Sequence, residues 1–418
     1  MVDQRRFDNQ RRLDNQPRSG SWLDSKAAAK HLGIDLRTLY AYVSRGRVHS
    51  VPAERGRKRL YAVEDLDRLK VRRDARAGHG AVAAGALRWG EPVLDSAITA
   101  ITPTGPAYRG RLATEVAEAG IAFENVAELL WSGYLPDAPL AWPRPAVPFA
   151  QLSRLVPEGA APLSVMSLLV PIAGLDDRSR DDGRPDAIIA RARQLVPLLA
   201  ASLAPGFAPA AVTRALGAGS VAAIAARALG ADDGVAPSID RALVLLADHE
   251  LNNSSFTARV VASTDADAYA CVAAALASLS GPRHGTASER FAKFADEIGD
   301  PASARSAVQA LRKRGEVPPG FGHPLYPHGD PRAVPLIAAL RGATNKRART
   351  MLAIVDAARD AQPTVDIGVA ALVASLGAPP PSASGLFAVA RVAGWIAHVI
   401  EQRAAGFLLR PRARYVGP

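Results

Sequence analysis

Ala268-Tyr269-Ala270-Cys271-Val272-Ala273-Ala274-Ala275-Leu276-Ala277-Ser278-Leu279 runs directly into Ser280-Gly281-Pro282-Arg283-His284-Gly285. The apolar spacing of the first twelve residues predicts a helix over 268–279. The glycines and proline that follow end it and leave a histidine in backbone that another group can approach closely. Two more histidines sit in similar settings, Ala247-Asp248-His249-Glu250 and Gly320-Phe321-Gly322-His323-Pro324. Imidazole titrates near neutrality, so three such side chains point to proton chemistry on a carbonyl. The other five histidines are His31, His49, His79, His328 and His398, and the last two of these read as structural or solvent-exposed.

Working outward, the same helical spacing recurs at 112–119, 126–130, 187–201, 210–228, 239–246, 302–313 and 348–359, with no convincing alternation at period two. The expected body is therefore all-α, with a minor hairpin near residues 91–110. A chain of 418 residues, 48% hydrophobic, is long enough for two or three domains. Its one cysteine, Cys271, excludes an intramolecular disulfide and a cysteine-based metal cage, and its apolar run predicts a buried, inert thiol. No metal site is expected. The first residues form no apolar leader, and the run Leu195 to Val212 is cut by Pro197, Pro205 and Pro209, so the expectation is a cytoplasmic protein that does not enter a membrane.

Charge divides the chain unevenly. Residues 1–80 hold 19 Lys and Arg against 10 Asp and Glu, which is +9 of a total of +11. Residues 1–21, with the doubled hexamer Arg5-Arg6-Phe7-Asp8-Asn9-Gln10 and Arg11-Arg12-Leu13-Asp14-Asn15-Gln16, are too polar to bury and read as a disordered basic tail. Ser25 is placed to cap a helix that Gly33 ends, and Asp35 or a neighbour starts a second that Gly46 ends. A basic turn, Arg55-Gly56-Arg57-Lys58-Arg59, leads to a short strand and then to a helical stretch from Val63 to Arg73. This order, over 22–76, resembles the MerR-like or excisionase-type winged helix-turn-helix family. The resemblance implies that Arg37, Thr38, Tyr40 and Arg45 face the major groove and that Arg57, Lys58 and Arg59 form a phosphate-touching wing. A small helical adaptor with a solvated basic face is the other reading. Residues 77–90 are small and featureless, as a linker is.

The three histidine segments fall in one order with Asp330-Pro331-Arg332, Val365-Asp366, the run Phe387-Ala388-Val389-Ala390-Arg391-Val392-Ala393-Gly394-Trp395-Ile396-Ala397-His398, and Arg410-Pro411-Arg412. Upstream stand Tyr108-Arg109-Gly110 and Phe123-Glu124-Asn125 through Leu135-Pro136. From about residue 91 to the end, this pattern resembles the citrate synthase family. The resemblance implies a large helical subdomain and a small one, roughly 285–378, that closes over substrate. It also implies condensation of acetyl-CoA with oxaloacetate, giving citrate and CoA. Asp366 would be the base, His284 would stabilise the enol, and His323 would polarise the ketone. Arg332, Arg391 and Arg410 would bind the diacid with His249, Phe387 would pack beside it, and Arg410 would come from a homodimeric partner. Coenzyme A enters as a thioester substrate, with no covalently bound cofactor.

Taken singly, each residue has a plainer reading. Asp366 would serve as a helix N-cap, Arg391 as part of a solvated face, Arg410 and Arg412 as a basic tail, His249 as a surface ion-pair member, and His284 and His323 as turn residues. Two departures from the family pattern stand out. Pro324 and Pro327 occupy places where basic residues are usual, leaving His328, Arg283 or Lys346 to meet a CoA phosphate. His284-Gly285-Thr286-Ala287-Ser288-Glu289 replaces a Gly-Ala-Asn run. These departures leave open 2-methylcitrate synthase and citryl-CoA lyase activities. They also leave open a different class, a metabolite-sensing DNA-binding regulator on the same scaffold.

Overall fold

The computed structural model describes residues 22–44, 48–53, 59–63, 65–67, 69, 94–147, 152, 155–413, 415 and 417. The chain divides into two units, Met1–Asp95 and Ser96–Pro418. The tail at 1–21, the linker at 77–90 and the groove and wing candidates Arg45, Arg57 and Lys58 lie outside the described residues.

In the first unit, β1 (Trp22–Asp24) leads into α1 (Ser25–Leu32) and α2 (Leu36–Ser44). The cap of α1 is Asp24 rather than Ser25: its carboxylate accepts from the Ala27 amide at 2.8 Å, and Ser25 becomes the first helical residue. An acidic side chain at that point also meets the positive end of the helix. Gly33 ends α1 at φ 59°, as expected. Asp35 then accepts from the Thr38 amide at 2.8 Å at the start of α2. Strands β2 (Ser50–Pro52) and β3 (Arg59–Ala62) complete an antiparallel sheet in the order β1-β3-β2. Helical backbone follows among the described residues from Val63 to Leu69. Ala28, Leu32, Leu39, Val48, Tyr61 and Leu66 form the core of this unit.

The second unit begins with the expected hairpin, β4 (Thr99–Thr102) and β5 (Gly105–Tyr108), extended by β6 (Arg111–Leu112). Helices follow: α3 (Ala113–Glu118), α4 (Phe123–Ser132), α5 (Pro162–Asp176), α6 (Pro185–Ala201), α7 (Pro209–Ala215), α8 (Val221–Ala228), α9 (Ala236–Leu246), α10 (Asn253–Ala262) and α11 (Ala268–Leu279). After these come α12 (Ala287–Ile298), α13 (Ala304–Lys313), α14 (Ala333–Ala339), α15 (Lys346–Ala357), α16 (Val365–Ser375) and α17 (Pro381–Ala405).

Two sequence expectations change. The run 210–228 is two helices, because the chain turns through Gly217 and Gly219 and Ser220 caps α8 by accepting from the Ala223 amide at 3.2 Å. Pro197 does not interrupt the run before 201. It sits buried inside α6, where packing outweighs the lost backbone bond, and the break falls at 202–208. The thiol of Cys271 is buried, which pushes its pKa up to about 12, as an inert core cysteine requires.

Helix α17 is the axis of this unit, packing against α4, α5, α6, α9, α10, α11, α12 and α16. It is the one helix among the described residues long and apolar enough to cross a bilayer, and 94% of its most apolar window is buried in the protein. Helices α12 to α16 pack chiefly on one another and meet the rest through α9 and α17. The histidine segments lie along that junction.

Candidate active site

The loop before α14 and the start of α16 are joined by backbone bonds. Gly322 N donates to Gln362 O at 2.8 Å and Thr364 N to Gly320 O at 2.9 Å, placing the His323 loop beside the entry to α16. Gly320 has φ 83°, and a Cβ there would stand 2.8 Å from Ile367 Cγ1, so both backbone and space require glycine. Asp330 completes the connection: its buried carboxylate pairs with Arg332 at 2.9 and 2.8 Å and accepts the Val365 amide at 3.0 Å. Asp366 is therefore not the cap of α16. Thr364 holds the boundary position, its hydroxyl donates to Asp366 Oδ2 at 3.1 Å, and Asp366 lies in the first helical turn. Desolvation raises the pKa of Asp366 above the ordinary aspartate value, against the opposing pull of Thr364 and Arg332.

His249 is buried rather than a surface ion-pair member. Its Nε2 lies 2.8 Å from Tyr326 Oη, and its ring stands edge-on to His323 with centroids 5.5 Å apart. Burial first, then Arg332 and Arg391, push its pKa well below that of free imidazole. His323 accepts the Leu325 amide on Nδ1 at 3.2 Å, so its neutral ring carries the proton on Nε2. Burial lowers its pKa, with Arg332 adding to the shift.

His284 lies in the loop closed by Gly285 N donating to Leu279 O at 2.9 Å. Its Nε2 is 2.9 Å from Ser254 Oγ, which also accepts from the Trp395 indole at 3.1 Å. Nδ1 is thus the ring nitrogen not engaged by Ser254. Burial, then Arg391, push the His284 pKa down to about 4. All three imidazoles are consequently neutral at pH 7, and each acts as a polar donor or acceptor rather than as a cation.

Arg391 is only 2% exposed, so it is no solvated helix residue. Its guanidinium lies 4.8 Å from the Phe387 ring centroid, while Nε and Nη1 have no hydrogen-bond partner among the described residues. Burial lowers its pKa to about 10, which leaves it a cation at neutral pH. Arg332 sits over the Tyr326 ring at 5.5 Å. Burial works against its charge, but Asp330 more than offsets this and raises its pKa. Two cations and three neutral imidazoles beside a carboxylate suit a dianionic substrate and a reacting carbonyl.

The structure thus brings together His249, His284, His323, Arg332, Asp366, Phe387 and Arg391. It leaves Arg410 exposed on the segment after α17, with no bond to this cluster among the described residues. Arg283, His328 and Lys346 are also exposed. Sequence reading missed Tyr326, Ser254 and the role of Trp395, because nothing in their local spacing marks them as neighbours of a histidine. His398, read as structural or exposed, is completely buried beside Asp248. In the first unit, Arg37 and Tyr40 are exposed on α2, whereas Thr38 Oγ1 donates to Asp35 at 3.1 Å and Arg59 is held by Ser50 through two bonds of 2.9 Å.

Comparison with known proteins shows the family. Residues 86–412 match the citrate synthase C-terminal domain, and residues 22–73 match a helix-turn-helix domain. The chain is 33% identical over 329 residues to citrate synthase 2 of Bacillus subtilis, covering 71% of this chain and 86% of that protein. It is 31% identical over 353 residues to 2-methylcitrate synthase of Mycobacterium tuberculosis, covering 78% and 89%. A citrate synthase from Thermoplasma acidophilum, solved in ternary complex with carboxymethyl coenzyme A and oxaloacetate, shares the fold. Its TM-score is 0.66 at 24% identity, over 80% of this chain and 96% of that one. With the family match spanning most of its length, this chain belongs to the citrate synthase family and is an acyltransferase of the citrate synthase type, carrying a helix-turn-helix domain at its N-terminal end.

Proposed function

We propose that the protein condenses acetyl-CoA with oxaloacetate to give citrate and CoA, with Asp366, His284 and His323 as the catalytic groups. The observation that carries this reading is the convergence of an aspartate of raised pKa with three neutral imidazoles and two buried arginines. Asp366 takes a proton from the thioester methyl, and His284 donates through Nδ1 to the oxygen that becomes the enol. Because Nε2 of His284 is engaged with Ser254, that donation requires the serine hydroxyl to turn its proton from Asn252 Oδ1, 2.8 Å away, to Nε2. The enol carbon attacks the ketone carbon, and His323 delivers its Nε2 proton to the oxygen that accumulates charge. Water then hydrolyses the citryl thioester, releasing CoA.

Arg332, Arg391 and His249 hold the diacid, Phe387 supports Arg391 from below, and Arg410 of the partner subunit completes the clamp in a homodimer. The exposure of Arg410, and of Leu168 and Leu175 on α5, suits surfaces that a second copy covers. Helices α12 to α16 form the small subdomain, roughly 285–378, that closes over the site and excludes water. The Thermoplasma complex with carboxymethyl coenzyme A and oxaloacetate supports a CoA thioester and oxaloacetate as the substrates. The protein acts in the cytoplasm.

Purified protein given acetyl-CoA and oxaloacetate should release CoA thiol and citrate, identified by product mass, and Asp366→Asn should suppress that release about 100-fold or more. Thiol release with propionyl-CoA alone would replace this reading by 2-methylcitrate synthesis, which the similarity to the Mycobacterium tuberculosis enzyme favours as the second candidate. No release with either donor would overturn both.

The helix-turn-helix unit supports a second activity, DNA binding through α2, with Arg37 and Tyr40 exposed on it. Mobility shifts on genomic fragments, with and without oxaloacetate or CoA, test it.

A further inference from the structure

Gly394 brings one face of α17 onto the turn that carries His249. A Cβ added there would lie 2.2 Å from Asp248 Oδ1, and the Gly394 amide donates to Ala247 O at 3.0 Å. One turn to either side on the same face stand Arg391 and His398. His398 Nε2 is 3.5 Å from Asp248 Oδ1, and both residues are fully sealed from solvent. Burial disfavours the Asp248 anion, but His398 and Arg391 hold its carboxyl below the ordinary range. The second carboxylate oxygen accepts the Glu250 amide at 3.1 Å, stabilising a residue at φ 54° immediately after His249. At 3.5 Å, His398 Nε2 and Asp248 Oδ1 are in contact short of a hydrogen bond, and neither ring nitrogen of His398 nor Asp248 Oδ1 has a hydrogen-bond partner among the described residues.

A buried carboxylate and a buried guanidinium that each feel the other's charge attract strongly. Paired directly, they would block the donors that a substrate carboxylate needs. Instead, Arg391 Nε and Nη1 have no hydrogen-bond partner among the described residues. We infer that His398 is a positioning residue for the diacid site: its Nε2–H draws the Asp248 carboxylate away from Arg391, so the anion balances the guanidinium charge without occupying its donors, and the same carboxylate fixes the turn of His249. This inference rests on the reading of Arg391 as a diacid ligand.

The full chain with His398→Leu, which keeps bulk and removes the donor, is compared with His398→Gln, which restores an N–H. The expected result for His398→Leu is an oxaloacetate KM raised about tenfold, the size of one lost bond to a buried charge, with acyl-CoA KM and kcat little changed. Gln should recover most of the loss. A role confined to packing would lower the thermal midpoint and leave the two KM values in their original ratio, and that outcome, or no recovery with Gln, overturns the inference. Nitrogen-15 spectra of histidine-labelled wild-type protein supply a measurement independent of the variants: His398 Nε2 must be protonated, and a bare Nε2 overturns the inference. Arg391→Leu separates the two readings. If it leaves oxaloacetate KM unchanged, the diacid site itself is misassigned; if it raises KM while His398→Leu does not, only the role of His398 fails.

Discussion

Asp330 and Arg332 form a two-point ion pair, 2.9 Å from Nε to Oδ1 and 2.8 Å from Nη2 to Oδ2, with both residues only 3% exposed. The same carboxylate holds the first amide of α16, one residue before Asp366. A single side chain therefore fixes the Arg332 guanidinium and the helix start that carries Asp366. Asp330→Asn should lower the unfolding free energy by about 3–5 kcal/mol, because it leaves a buried cation uncompensated. Urea denaturation checks this, and a change under 1 kcal/mol would show that the pair is dispensable.

The acid side of the rate profile should report Asp366. Its pKa is raised by burial and its ionised form is the active one, so kcat/KM should fall as pH drops through a value above the ordinary 3.8 of aspartate. Burial lowers the pKa of all three histidines, so any loss from their protonation should fall below the 6.5 of free imidazole. Thiol release measured across pH, with circular dichroism to confirm folding at each point, tests this. An inflection near 6.5 would instead assign the titration to an unperturbed imidazole.

Asp240 gives a separate dependence of stability on pH. Its Oδ1 accepts the Phe123 amide at 3.1 Å, and burial raises its pKa to about 7, with Glu124 adding to the shift. The folded chain thus favours the protonated acid. Its contribution to stability is complete below the unfolded pKa, about 3.9, and is lost as pH rises through about 7. Asp240→Asn retains the acceptor without the charge and should raise the thermal midpoint by several degrees at pH 8 and by less at pH 5. Equal shifts at both pH values would contradict the assignment.

For the helix-turn-helix unit, Arg37→Ala should weaken DNA binding, since this cation is exposed on α2. If it contacts phosphate, the slope of log affinity against log salt should decrease by about one. Thr38→Ala should instead act on stability, because Thr38 bonds to Asp35 within the turn that starts α2. Unchanged affinity and salt slope in Arg37→Ala would remove α2 as the DNA-facing helix.

Helical periodicity and glycine-bounded histidines were legible directly, because local spacing determines which residues share a helix face and where backbone must turn. The run 268–279 is a helix with the expected bounds, and His284 follows it in a loop. The split of 210–228 and the passage of α6 through Pro197 were not legible, since tertiary packing outweighs local propensity at both places. The site divides in the same way. His249, His284, His323, Arg332, Asp366 and Arg391 carry their chemistry in their residue type and in the family order of their motifs. Tyr326, Ser254, Trp395 and the Asp248–His398 pair acquire meaning only through contacts between segments far apart in the chain.

What the amino-acid order determined alone is the helical class, the two-part division of charge, and the residue types available for enolisation and diacid binding. The tertiary structure decided which nitrogen of each histidine is free, which arginine donors remain unpaired, and which acids are raised or lowered in pKa. Those properties depend on burial and on partners brought together by folding, and neither is encoded in the spacing of a single segment.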